Sequence, residues 1–124
     1  MSNLGIVIVS HSKHLAEGLV ELISEVAKDV SITSVGGRED GGIGTSFQQV
    51  LKAVEDNKQQ KLLAFFDLGS ARMNLEMVSD FTDKEILINN VPIVEGAYTA
   101  AALLQAGANL ETIQEQLTKL VINK

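Results

Sequence analysis

The stretch Leu4-Gly-Ile-Val-Ile-Val-Ser-His-Ser12 decides the fold. It begins with an almost unbroken, β-branched apolar run, which is typical of a strand that is covered on both faces in a parallel sheet. Polar residues follow at once, and apolar side chains then recur at helical spacing opposite a face of glutamates. The members of this apolar face are Leu15, Leu19, Leu22, Ile23 and Val26. A buried strand that leads into an amphipathic helix is the first unit of an α/β fold.

The same alternation of strand and helix continues along the chain. Residues 30–35 alternate apolar and polar side chains with period two, which predicts a half-exposed strand at a sheet edge. Further apolar strands are predicted at 62–68 and 85–89. The later helices have the following predicted starts: Thr45 or Ser46 as N-cap of the second, Ser70 as N-cap of the third, Pro92 in the first turn of the fourth, and Asn109 as N-cap of the fifth.

This order of elements predicts a doubly wound, mostly parallel open sheet with helices on both faces. If the first crossover runs one way and the next runs the other, the strand order is 2-1-3-4, and the ends of strands one and three flank the topological switch point. Ligands of such sheets bind beyond the carboxyl ends of the strands. We expect a single domain over residues 1–124, because no repeat or linker interrupts the pattern.

Composition and charge exclude several partners and chemistries. The chain of 124 residues has no cysteine, which removes disulfides, thiolate metal sites and thiol nucleophiles. Its net charge of -6 repels phosphate backbones, so nucleic acid is not an expected partner. No apolar stretch approaches the ~20 residues of a membrane span, and the N-terminal run lacks the flanks of a signal peptide. We therefore expect a cytoplasmic protein without membrane insertion.

Two side chains at the strand ends carry the candidate chemistry. His11 follows the first strand at the start of a helix, and the helix N-terminus disfavours the imidazolium and keeps a neutral, nucleophilic ring. If this nucleophile acquired a phosphoryl group, the same helix end would favour the dianion. Asp67 follows the third strand, where it is placed to accept a hydrogen bond from Nδ1 of His11 and leave the Nε2 lone pair free. On spacing alone, both residues are also compatible with helix capping.

The glycine-rich segment 36–46 lacks the G-x-x-x-x-G-K-[ST] and G-x-G-x-x-G patterns, so a nucleotide site is not predicted. Its amides, with the hydroxyls of Thr45 and Ser46 at a helix start, are suited to a phosphoryl group, and a merely flexible connection fits equally well. No metal site is expected. The candidate phosphate contacts are Ser12, Gly44, Thr45, Ser46, Gly69 and Ser70.

Four motifs together resemble one family over almost the whole chain: Gly5 to Ser12, Gly36 to Ser46, Asp67 to Ser70, and Val91 to Gly96. The family is that of the phosphocarrier subunits of phosphoenolpyruvate-dependent dihydroxyacetone kinases, which belong with the EIIA domains of the mannose-class sugar phosphotransferase system. The resemblance implies that His11 accepts a phosphoryl group from HPr and that Asp67 orients its ring. It also implies transfer to ADP held by DhaL, phosphorylation of dihydroxyacetone on DhaK, a homodimer, and no cofactor bound to this chain.

One departure from the family pattern bears on the alternatives. Mannose-type EIIA domains have Gly-Gly-Ser-Pro after the third strand, where this chain has Gly69-Ser-Ala-Arg72, and this difference favours the kinase subunit over a sugar-transport role. Two other functions stay open. One is an EIIA component that passes phosphate to a transporter EIIB, and the other is a regulatory module that binds an anion or a partner without being phosphorylated.

Overall fold

A four-stranded parallel sheet forms the centre of the computed structural model, which describes residues 3–124. The strands are β1 (Leu4–Ser10), β2 (Ile32–Gly36), β3 (Lys61–Phe66) and β4 (Glu85–Asn89). The helices are α1 (Lys13–Ser24), α2 (Phe47–Asp56), α3 (Gly69–Phe81), α4 (Ile93–Gln105) and α5 (Leu110–Thr118). The strand order is β2-β1-β3-β4, which confirms the predicted topology. No helix among these residues is long and apolar enough to cross a bilayer.

The central strand β1 is buried along its whole length because it has a neighbour on each side and helices on both faces. Its register pairs Val9 with Val35 of β2 and with Phe66 of β3. The segments that leave β1 and β3 therefore start side by side, at the point where the two crossovers diverge. This register brings the residues after Val9 next to those after Phe66.

Two apolar clusters cover the two faces of the sheet. The first joins Ile6, Ile8 and Phe65 to helices α1, α4 and α5, and the second joins Val7 and Phe66 to α2 and α3. Adjacent residues of one strand thus serve opposite cores, as the continuous apolar run of β1 predicts. Each fully buried large side chain stabilises the fold by about 1.5–3 kcal/mol, so these two clusters hold the strands, and with them the strand ends, in place.

The predicted element boundaries hold in part. The edge strand β2 is half-buried as expected, but it covers Ile32–Gly36 rather than 30–35, and β3 ends at Phe66 instead of residue 68. The N-caps Ser46 and Asn109 are confirmed by their bonds to the first helical turns. The capping role of Ser70 is wrong, because α3 begins at Gly69 without a side-chain cap.

The predicted apolar face of α1 is also wrong in part. Leu15 and Leu22 are 41% and 48% exposed, whereas Ala16, Leu19 and Ile23 are buried. The helix is rotated so that the smaller side chain of Ala16 faces the sheet. Large apolar side chains consequently remain on the surface.

Candidate active site

His11 lies in the two-residue connection between β1 and α1, and its backbone is held on both sides. Its N–H donates to Oδ2 of Asp67 at 2.9 Å, and its carbonyl accepts from the amide of Gly44 at 2.9 Å. The glycine-rich segment approaches so closely that a Cβ added at Gly36 falls 2.3 Å from the carbonyl oxygen of Ser12. A glycine at this position is therefore required for the segment to pack against the histidine loop.

Asp67 accepts four hydrogen bonds and holds the imidazole of His11. Its Oδ1 lies 2.8 Å from Nδ1 of His11 and accepts the amide of Leu68 at 2.7 Å. Its Oδ2 accepts the hydroxyl of Ser10 at 2.7 Å together with the His11 amide. The side chains of His11 and Asp67 are only 15% and 11% exposed. The structure thus brings these two side chains together, and their roles in transfer stay a prediction.

The protonation of the pair follows from the environment of the carboxyl group. Burial raises the pKa of Asp67, but the hydrogen bonds from the His11 amide, the His11 ring, Ser10 and Leu68 together bring the pKa below its ordinary value. The carboxylate is therefore ionised near neutral pH and is only an acceptor. In the neutral imidazole the proton must then lie on Nδ1, and Nε2 carries the lone pair.

Nε2 of His11 points away from Asp67 toward the beginning of α3. It lies 2.6 Å from Oγ of Ser70, and since Nε2 is an acceptor, the hydroxyl is the donor. Gly69 and Ser70 are the first two residues of α3, and no side chain caps this helix end. The N-terminus of a helix carries a partial positive charge, so the lone pair of Nε2 faces a region that favours an anion.

The predicted phosphate contacts divide into two groups. Gly69 and Ser70 lie at the open side of His11. The hydroxyls of Ser12 and Ser46 accept from the amides of Leu15 and Gln49 as helix N-caps, and the Ser46 hydroxyl also donates to Glu39. Thr45 accepts a bond from the side chain of Asn74, which ties the glycine-rich segment to α3. The amide of Gly44 is bonded to the carbonyl of His11. In this structure Ser12, Gly44, Thr45 and Ser46 thus serve local structure, and all six phosphate contacts stay a prediction.

Other charged residues from the strand ends are bonded to neighbouring side chains. Arg38 pairs with Asp40 at 3.4 Å, and Arg72 pairs with Glu76 and donates to Asn90. His14 lies on the exposed face of α1. Within residues 3–124, no group of His, Asp and Glu is arranged to hold a metal ion.

Ser10, which local sequence patterns do not single out, is almost fully buried and donates its hydroxyl to the Asp67 carboxylate. The sequence feature that indicates its role is a polar residue at the end of an apolar strand that is covered on both faces. Such a buried hydroxyl needs a partner, and the partner lies 57 residues away along the chain.

The chain has a 2-1-3-4 parallel sheet with a histidine held by an aspartate at its switch point, and comparison with known proteins identifies its family. The EIIA-man family, described as PTS system fructose IIA component, matches residues 5–114, so the chain belongs to this family. Its relatives place it in the DhaM group. It is 62% identical to the DhaM phosphotransferase subunit of the PTS-dependent dihydroxyacetone kinase of Lactococcus lactis, over 97% of this chain and 98% of the relative.

A second relative and two solved structures extend the comparison. A phosphoryl donor subunit DhaM of PEP-dependent dihydroxyacetone kinase 1 from Listeria innocua is 51% identical, over 89% of this chain and 94% of the relative. The solved protein EF1359, of unknown function, has a TM-score of 0.83 and 26% identity, over 97% and 96% of the two chains. An EIIA component from Streptococcus agalactiae shares the fold, with a TM-score of 0.66 and 17% identity over 94% and 90% of the chains.

Proposed function

We propose that the chain acts in the cytoplasm as the phosphoryl carrier of a phosphoenolpyruvate-dependent dihydroxyacetone kinase. His11 accepts a phosphoryl group from phosphorylated HPr and passes it to ADP bound by DhaL, which then phosphorylates dihydroxyacetone on DhaK. The single observation that carries this proposal is the 2.8 Å contact between His11 Nδ1 and Asp67, which directs the Nε2 lone pair outward. The DhaM relatives, named as phosphotransferase or phosphoryl donor subunits, support the same role.

The proposed transfer needs no reactant besides His11 and the phosphorylated histidine of the donor. The Nε2 lone pair of His11 attacks the phosphorus, the bond from phosphorus to the donor histidine breaks, and the donor nitrogen recovers its electron pair. The proton on Nδ1 stays in place, so the phosphorylated ring carries a positive charge. The Asp67 carboxylate at 2.8 Å stabilises this charge, in the way that a carboxylate stabilises the imidazolium of a catalytic triad.

Ser70 has two successive roles in this proposal. Its hydroxyl first donates to Nε2 and keeps the ring in place. When the phosphoryl group arrives, the hydroxyl turns to a phosphoryl oxygen, and the amides at the start of α3 face the dianion. Such a helix end favours an anion by roughly 0.3–1 kcal/mol, and by up to about 2 kcal/mol in a partly buried site. Positioning and electrostatics thus supply the catalysis.

The carrier binds no cofactor in this proposal, because the nucleotide is held by DhaL. We also propose a homodimer. The exposed apolar side chains Met73, Met77 and Phe81 follow one another at four-residue spacing along α3 and offer surface for association. Sedimentation velocity tests the assembly: a particle of twice 13.3 kDa is expected, and a monomer at all accessible concentrations contradicts it.

The labelling experiment uses phosphoenolpyruvate, enzyme I and HPr, with and without DhaL and ADP. We expect one acid-labile phosphoryl group on the wild-type chain, which DhaL with ADP then removes. His11→Ala should lose all label, and the matched control His14→Ala, three residues along and exposed, should keep it. Label on the His11→Ala chain refutes the site. Transfer to a mannose-type EIIB but not to DhaL favours the sugar-transport alternative, and an unlabelled chain that still binds its partner favours the regulatory module.

A further inference from the structure

The segment that follows α5 returns to the carboxyl edge of the sheet. The amide of Ile122 donates to the carbonyl of Asn90 at 2.9 Å. The ammonium of Lys124 donates to two carbonyls, those of Phe66 and Val91, at 2.6 Å each. Phe66 is the last residue of β3, and Val91 follows β4. One cation therefore joins the ends of two neighbouring strands directly beside the His11 site.

The contact with Phe66 fixes the peptide unit that leads into Asp67. On one side of this unit, the Phe66 carbonyl accepts from Lys124, and on the other side the Asp67 amide donates to the carbonyl of Val9 at 3.3 Å. The Lys124 ammonium also lies 4.2 Å from the centre of the Phe66 ring, which adds a cation–π contact. The peptide that determines where the Asp67 carboxylate points is thus held from both directions.

The same residue reaches the first turn of α3. A Cβ added at Gly69 falls 3.0 Å from the backbone carbonyl carbon of Lys124, so the returning segment packs closely against the residue that begins this helix. Burial lowers the pKa of Lys124, and the negative charge of Asp67 opposes that shift.

We propose that Lys124 is a positioning residue for transfer at His11, because it fixes the peptide that carries Asp67. The inference rests on the proposed function. Lys124 does not touch the reacting atoms in this reading and acts through Asp67. Since displacement of a reacting group by about 1 Å can cost about a hundred-fold in rate, loss of this anchor should slow transfer rather than weaken the binding of HPr.

The test compares Lys124→Met with Lys124→Arg, which restores a cation, and with the control Lys119→Met, which removes an exposed lysine at the end of α5. Initial rates of phosphoryl uptake from phosphorylated HPr give kcat and KM, and proton NMR follows the hydrogen-bonded Nδ1–H of His11. For Lys124→Met we expect kcat to fall about ten- to a hundred-fold with KM unchanged, and the Nδ1–H resonance to broaden. Lys124→Arg should recover most of both signals, and Lys119→Met should match wild type.

Rates are compared per folded molecule, with the folded fraction measured by circular dichroism. Wild-type kcat and an unchanged Nδ1–H resonance in Lys124→Met overturn the inference, and so does a loss of rate that only follows the folded fraction. The proposed function fails separately, when the wild-type chain takes no label on His11. In that case the NMR comparison still decides whether Lys124 positions the Asp67–His11 pair.

Discussion

Replacement of Asp67 by asparagine tests the site most directly, because the substitution keeps the shape and removes one acceptor atom. Oδ1 accepts from His11 Nδ1 and the Leu68 amide, and Oδ2 accepts from the Ser10 hydroxyl and the His11 amide. An amide NH₂ group at the first position faces the Leu68 N–H, and at the second it faces the His11 N–H. Backbone N–H groups cannot reverse their role, so either orientation leaves one donor facing another.

The expected magnitudes follow from this geometry. The donor left without an acceptor is the partly buried His11 amide in one orientation and the exposed Leu68 amide in the other. The loss costs about 1–3 kcal/mol of the free energy of unfolding for the His11 amide, and less for the Leu68 amide, which water can reach. When the NH₂ group faces Nδ1, the ring must change tautomer, and the proton then occupies Nε2, the proposed nucleophile. Even in the other orientation, the phosphorylated ring loses its neighbouring anion. We expect Asp67→Asn to slow phosphoryl uptake about 10²- to 10⁴-fold while the chain stays folded.

The assay is rapid-quench transfer of radiolabelled phosphate from HPr, with thermal unfolding measured on the same preparations. Asp80→Asn, an exposed carboxylate on α3, is the matched control and should behave as wild type in both measurements. An Asp67→Asn chain that is folded and takes up phosphate at the wild-type rate would refute the orienting role. A large loss of stability with normal transfer leads to the same conclusion, because it makes Asp67 purely structural.

Two further predictions concern Ser70 and pH. For Ser70→Ala we expect the phosphoryl equilibrium between the chain and HPr to shift toward HPr roughly five-fold. This shift corresponds to about 1 kcal/mol for the lost hydrogen bond to a phosphoryl oxygen. Ser79→Ala on the same helix is the control, and an unchanged equilibrium in Ser70→Ala contradicts the second role of Ser70. The folded-state pKa of Asp67 lies below its unfolded value near 3.8, so its ionisation stabilises the fold above that pH and the contribution is lost as the pH falls through the folded-state pKa. We therefore measure the free energy of unfolding of wild type and Asp67→Asn in denaturant as a function of pH. The difference between them should be constant near neutral pH and shrink below about pH 4. A difference that stays constant at all pH values contradicts the lowered pKa of Asp67.

The features that could be predicted from the sequence are those set by local patterns. The apolar run of β1 and the period-two pattern of β2 identify a central and an edge strand, and these two decide most of the topology. Ser46 and Asn109 were predictable as caps because an N-cap bond reaches only three residues along the chain. The approach of Asp67 to His11 followed from topology, since both residues leave adjacent parallel strands.

The remaining features depend on contacts between distant residues. Ser70 has the residue type of a cap, but its hydroxyl bonds His11, 59 residues away, so a local rule assigned it wrongly. Lys124 is one lysine among several in the sequence, and only the return of the segment after α5 shows that it reaches Phe66, 58 residues earlier. The rotation of α1 likewise depends on how Ala16 packs against the sheet, which helical spacing alone does not determine.

The charges of the site are consistent with a carrier that must release what it binds. In the proposed phosphorylated state, the ring cation lies between two anions, with the phosphoryl group at Nε2 and Asp67 at Nδ1. The two arginines of the chain are engaged elsewhere, Arg38 with Asp40 and Arg72 with Glu76 and Asn90. A guanidinium on the phosphoryl oxygens would bind the dianion more tightly and lower its transfer potential. In the proposed state, weak donors at the start of α3, in a chain of net charge -6, would instead hold the phosphoryl group without binding it too tightly for transfer.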